Sequence, residues 1–269
     1  MKMSLNLAVA AAAVAATFSV ATPASAVIET FAEFSAIGTG SNVMWKNNGS
    51  STTNGTGGTF YTTSTAGSNV AGARDVRFSF LQAALAPYTT DLVAAFSLSG
   101  TVTATPAMAF GGFLFQEGIS GSFSFLTTAP LIIGSTTYAV GSNLLSGTFN
   151  QTTILGQRLG TAGSASASTN VGATITYTSD FLGFGLTNNR DLALSLTSIA
   201  LPLQALPTTG TPNKALRTFK GLATGSFSSD PAPTITATIP EPAVWGLMLV
   251  GFGLVGIQTR RSRRTTVAA

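Results

Sequence analysis

The 269-residue chain contains no cysteine and no histidine. That excludes disulfide staples, thiol nucleophiles, zinc sites of the Cys/His kind and haem held by histidine. It also removes the usual base of a catalytic Ser-His or Cys-His pair. Charge is scarce, with Asp, Glu, Lys and Arg making up 8% of residues against roughly 25% in an average protein. Tryptophan occurs twice and tyrosine four times, too few for the aromatic girdles of a membrane barrel. Between the two ends no stretch sustains the 3.6-residue spacing of an amphipathic helix.

Hydrophobic residues reach 45%, enough to build a core. The length suits one large domain or two small ones. The net charge of +4 comes from the ends. Residues 27–239 hold eight bases (Lys46, Arg74, Arg77, Arg158, Arg190, Lys214, Arg217, Lys220) and eight acids (Glu29, Glu33, Asp75, Asp91, Glu117, Asp180, Asp191, Asp230). Such a neutral body, with no run of Lys/Arg, does not read as a nucleic-acid binder.

Both ends read as addresses. Residues 1–26 place Lys2 before an uncharged Ala-rich run, then Pro23, then Ala24-Ser25-Ala26. A basic start, a short apolar stretch and a small-x-small site form a secretory signal peptide, with cleavage after Ala26. At the other end, Ala243 to Thr259 is an uncharged run of seventeen residues followed by Arg260, Arg261, Arg263 and Arg264. As a helix rising ~1.5 Å per residue it spans roughly 25 Å, near the lower limit for a bilayer. Trp245 suits the outer interface, and the arginines hold the far end in the cytoplasm. The signal peptide and this tail agree on one topology, with the body outside.

Pro240-Glu241-Pro242, then Trp245, a Gly-rich apolar segment and an arginine cluster together resemble a PEP-CTERM sorting signal, in its PEPxxWA variant. Gly246 stands where that variant has Ala. The resemblance covers 240–264 and implies a partner, a membrane-embedded exosortase that processes the chain near Pro-Glu-Pro. It also implies a surface or extracellular-matrix destination associated with exopolysaccharide. It carries nothing about the body's fold or activity. Physically, two prolines hold the motif extended and remove two amide donors, a form that a protease-like site can bind.

The body, 27–230, reads as all-β, an antiparallel sandwich or jelly roll, with an outer-membrane barrel as the alternative. Leu92, Ala94, Phe96, Leu98, Gly100 and Val102 fall on one face, and from Phe96 on they alternate with Ser and Thr. So do Ile119, Gly121, Phe123 and Phe125; Ala173, Ile175 and Tyr177; and Ile235 onward. Leu192, Leu194 and Leu196, and also Val76, Phe78 and Phe80, keep the same period of two, which marks half-buried strands. Asn47-Asn48-Gly49, Asn54-Gly55, Gly111-Gly112, Asn188-Asn189 and Pro212-Asn213 are turn signals. Phe31, Phe34 and Ile37 fit either a helical turn or a strand. Residues 47–72 read as a polar loop or an edge hairpin, 161–170 as a small, flexible segment, and 231–239 as an extended spacer or last strand.

Chemistry is sparse. Lys46, Lys214 and Lys220 sit in no S-x-x-K pattern. Glu29 and Glu33 lie at the new N-terminus, and Asp75 lies beside Arg74 and Arg77. Asp180, Asn188, Asn189 and Asp191 come nearest to a calcium loop but lack its spacing and serve better as turn-formers. The expectation is no metal, no cofactor and no catalysis. Thr101-Thr103-Thr105, Thr174-Thr176-Thr178 and Thr234-Thr236-Thr238 read as ordinary outer faces of strands. The function expected is a non-catalytic, exported surface or matrix protein. The alternative is a carbohydrate-binding module, which requires Trp45, Tyr61, Tyr88 or Tyr138 to cluster on an exposed face.

Overall fold

A computed structural model of the chain describes residues 28–50, 53–185 and 189–236. The signal peptide, the Pro240-Glu241-Pro242 motif, Trp245, the apolar run and Arg260–Arg264 lie outside the described residues. The elements are β1 (Glu29–Ala36), β2 (Val43–Asn47), β3 (Gly58–Thr62), β4 (Arg74–Phe80), α1 (Ala86–Thr89), β5 (Leu92–Val102), β6 (Met108–Phe110), β7 (Phe113–Thr127), β8 (Leu131–Ile133), β9 (Thr136–Tyr138), β10 (Asn143–Gln157), β11 (Gly163–Ser168), β12 (Ile175–Thr178), β13 (Leu182–Gly183), β14 (Asn189–Ala200), β15 (Phe219–Asp230) and β16 (Thr234–Ile235). No helix of the described residues is long and apolar enough to cross a membrane.

The body is all-β and antiparallel, but its twelve main strands form one sheet rather than the two of a sandwich. Pairings run β1–β4–β5–β7–β10–β11–β14–β15 and return from β15 to β1, closing the sheet into a barrel. Three long strands make closure work by serving two neighbours along one edge. β5 pairs β4 over Leu92–Phe96 and β3 over Ser99–Val102. β15 pairs β2 over Phe219–Gly221 and β1 over Gly225–Ser229. β10 pairs β12 over Ser146–Phe149 and β11 over Thr153–Gly156.

The period of two sorts the residues by face. Val76, Phe78, Phe96, Leu98, Ile119, Phe123, Phe125, Ile175, Tyr177, Leu192, Leu194 and Leu196 are buried, while Ser99, Thr101, Ser120, Ser122, Thr174, Thr176, Ser195 and Thr197 are exposed. A barrel in lipid turns its apolar band outward; this one turns hydroxyls outward and fills its lumen with phenylalanine. Phe125 sits at the centre, its ring 4.6 Å from Phe96, 5.0 Å from Phe34, 5.1 Å from Phe78 and 5.5 Å from Phe227. The stacked, tilted and edge-on arrangements suit aromatic quadrupoles.

Two segments depart from their sequence reading. Within 47–72, β3 lies between β2 and β5, with Phe60 and Tyr61 buried, so it is no edge hairpin. Within 161–170, β11 lies between β10 and β14, with Ala165 and Ala167 buried. Its side chains are small, but the segment is a strand paired on both edges rather than a loose one. Residues 231–236 stay on the body, since Thr236 N donates to Phe181 O at 2.9 Å and β16 pairs β13.

Candidate functional site

The register of four neighbouring strands builds a wall of hydroxyls. Ser97 faces Ser124, Ser124 faces Ser146, and Ser146 faces Thr178. One pleat further, Ser99 faces Ser122, Ser122 faces Thr148, and Thr148 faces Thr176. Thr101 and Ser120 begin a third row. Rows of this kind repeat at ~4.8 Å across the strands and roughly 6.8 Å along them. Neighbouring hydroxyls bond to each other, Ser146 Oγ to Thr178 Oγ1 at 2.8 Å and Thr148 Oγ1 to Thr176 Oγ1 at 2.7 Å. β12 thus takes part in the wall, whereas Thr103 and Thr105 lie past the end of β5. Thr234 belongs to β16, and Thr238 is outside the described residues. The three Thr-x-Thr triples do not meet; the array is formed by Ser97 and Ser99 of β5, Ser122 and Ser124 of β7, Ser146 and Thr148 of β10, and Thr176 and Thr178 of β12.

On the other side of the barrel a shallow groove of roughly 540 Å³ crosses β11, β14, β15, β1 and β4. Ser164, Ser195, Thr224, Ser226, Ser35 and Ser79 line it, with Glu33, Arg77 and Asp91. Asp91 N donates to Ser79 Oγ at 2.9 Å, which ties the Asp91 backbone to the groove rim.

The other sequence candidates are dispersed. Glu29 is exposed at the start of β1, and Asp75 shares the outer face of β4 with Arg77. Asp180 Oδ2 accepts from Asn143 N at 2.7 Å, so it ties the loop after β12 to the start of β10. Asn189 pairs Asp230 in the sheet, and Asn188 is outside the described residues. Among the described residues no group of three or more acids could hold a metal ion.

Asp191 belongs to a polar insertion at the barrel's end. Its carbonyl accepts from Tyr177 Oη at 2.5 Å, Arg190 Nη1 donates to Ile175 O at 2.9 Å, and the guanidinium lies 5.7 Å from the Tyr177 ring centroid. Burial first, and then the Asp191 charge, push the Tyr177 hydroxyl well above the ordinary value, with Arg190 opposing. Asp191 Oδ1 and Arg190 Nε are buried without a protein partner.

The four aromatics that a sugar-stacking face requires do not make one. Trp45 is fully buried, its indole donating to Leu216 O at 2.9 Å. Tyr61 is buried, and Tyr88 and Tyr138 pack against the core. The chain matches no protein-family model, no curated protein and no solved structure.

Proposed function

We propose that this is an exported, non-catalytic surface or matrix protein, sorted through its C-terminal tail by an exosortase-type enzyme, whose body lies against extracellular polysaccharide. The observation that carries the polysaccharide part is the register of Ser99, Ser122, Thr148 and Thr176 beside Ser97, Ser124, Ser146 and Thr178. Hydroxyls both donate and accept, so two adjoining rows offer a hydroxylated polymer many interchangeable hydrogen bonds and no single deep pocket. Contacts of that kind are individually weak and add along a chain. The absence of histidine and cysteine fits a role without bond-breaking. The tail's residue order supports the sorting part.

The test is co-sedimentation of the exported protein with the host's extracellular polysaccharide. Ser122→Glu with Thr176→Glu puts two repelling, non-donating groups on the wall while leaving the inner face alone. Export should continue and the polysaccharide-bound fraction should fall several-fold. Unchanged retention would remove the wall from the binding surface.

A further inference from the structure

The neutral body is polarised. β1 starts at Glu29, β14 at Asn189 and β15 ends at Asp230, and register places these ends together. The loop before β5 brings Asp91 to the same end, and the turn after β12 brings Asp180. With Asp191 this pole holds five acids against one base, Arg190. The opposite pole holds the far ends of β2, β10 and β15 and the segment before β15. Lys46, Arg158, Lys214, Arg217 and Lys220 lie there, against Glu117 alone. The two poles therefore carry about four charges each, of opposite sign.

Each pole also exposes apolar side chains. The β6–β7 hairpin turns at Gly111-Gly112, both at positive φ (58° and 85°). Its register sets Phe110 opposite Phe113 and Met108 opposite Phe115 on one face, and Phe110 is 81% exposed. At the acidic pole the β8–β9 hairpin exposes Ile132, and the loop that follows it exposes Val140.

We infer that copies of this chain stack head to tail, the basic pole of one on the acidic pole of the next. The partner is a second copy because the complementary surface is the molecule's own other end. The two patches differ and lie on opposite ends, so the contact is heterologous and does not close; it grows into a filament. Charge sets orientation and the encounter rate, and the exposed Phe110, Phe113 and Ile132 supply apolar burial.

The cysteine-free sequence makes the test clean. The full chain carrying Asn213→Cys at the basic pole and Ala139→Cys at the acidic pole is expressed in its host, and whole cultures are treated with a short bismaleimide. A ladder of multimers of this chain is expected, and neither single-cysteine variant should give species beyond a dimer. Adding Lys214→Glu and Arg217→Glu should cut the ladder at least tenfold, as should adding Glu29→Lys and Asp230→Lys. Each pair of substitutions brings its pole from about four charges to about none, so mixing the two variants should give a cross-linked dimer, intact basic pole on intact acidic pole, well above either variant alone but no ladder; that dimer also shows that both are folded. No ladder from the double-cysteine chain, a ladder indifferent to charge reversal, or adducts of Asn213→Cys only with other proteins would overturn head-to-tail stacking.

Discussion

Asn42 stands in for a strand residue beside Ala223: its Nδ2 donates to Ala223 O at 3.0 Å and its Oδ1 accepts from Ala223 N at 2.7 Å. Ala223 lies where β15 leaves β2 and has not yet met β1. Without the carboxamide, both backbone groups would be buried and unpaired, a cost of about 1–3 kcal/mol each. The same device recurs across the barrel, where Thr62 Oγ1 accepts from Leu98 N at 3.1 Å as β5 passes from β4 to β3. Closure rests on these two seams as much as on the strands.

Asn42→Leu keeps the volume and removes both hydrogen bonds. It should cost about 2–4 kcal/mol, and at ~2–4 °C per kcal/mol for a domain of this size lower Tm by roughly 5–15 °C. Calorimetry of the two proteins checks this. A shift under about 2 °C would mean that water or a moved strand pairs Ala223 instead.

Phe125→Ala should be the costliest single truncation in the lumen, at about 3–5 kcal/mol, because Phe34, Phe78, Phe96, Phe123 and Phe227 all border that ring. Denaturant midpoints compared with Phe110→Ala, whose ring is exposed, give the contrast. Equal losses would contradict the packing described.

Tyr177 makes alkaline stability a readout. The hydroxyl keeps its proton in the fold past the ordinary value of 10.0, so its contribution is complete below pH ~10. As pH rises above that value the unfolded chain releases the proton and the folded one does not, and stability falls by up to ~1.4 kcal/mol per pH unit. Tyr177→Phe should be less stable at pH 7, having lost the bond to Asp191 O, and should show a shallower loss between pH 10 and 12. Parallel melting curves across that range would refute the assignment.

The strands were legible wherever large apolar residues alternate with Ser and Thr, as from Phe96 to Val102. β11 alternates too, but in Ala165 and Ala167 against Ser164, Ser166 and Ser168, and side chains that small carry little hydropathy contrast. Phe31 and Phe34 are both buried although three residues apart, because a bulge between Thr30 and Ala32 adds one residue to β1. Closure was not legible, since it depends on polar residues such as Asn42 and Thr62 meeting partners far along the chain. The hydroxyl wall was hidden for a related reason. Each strand shows its own Ser or Thr face, but only the registers among β5, β7, β10 and β12 bring the faces into rows.

The most direct measurement on the sorting account is the intact mass of the protein recovered from its native host, with terminal sequencing. Export through the signal peptide and processing at the tail give a chain that starts at Val27 and ends near Pro240-Glu241-Pro242, lacking Trp245 and the arginine cluster. Glu241→Ala should instead leave the full tail attached in the membrane fraction. A mature protein that keeps residues through Arg264, with wild type and Glu241→Ala alike in mass and location, would contradict it.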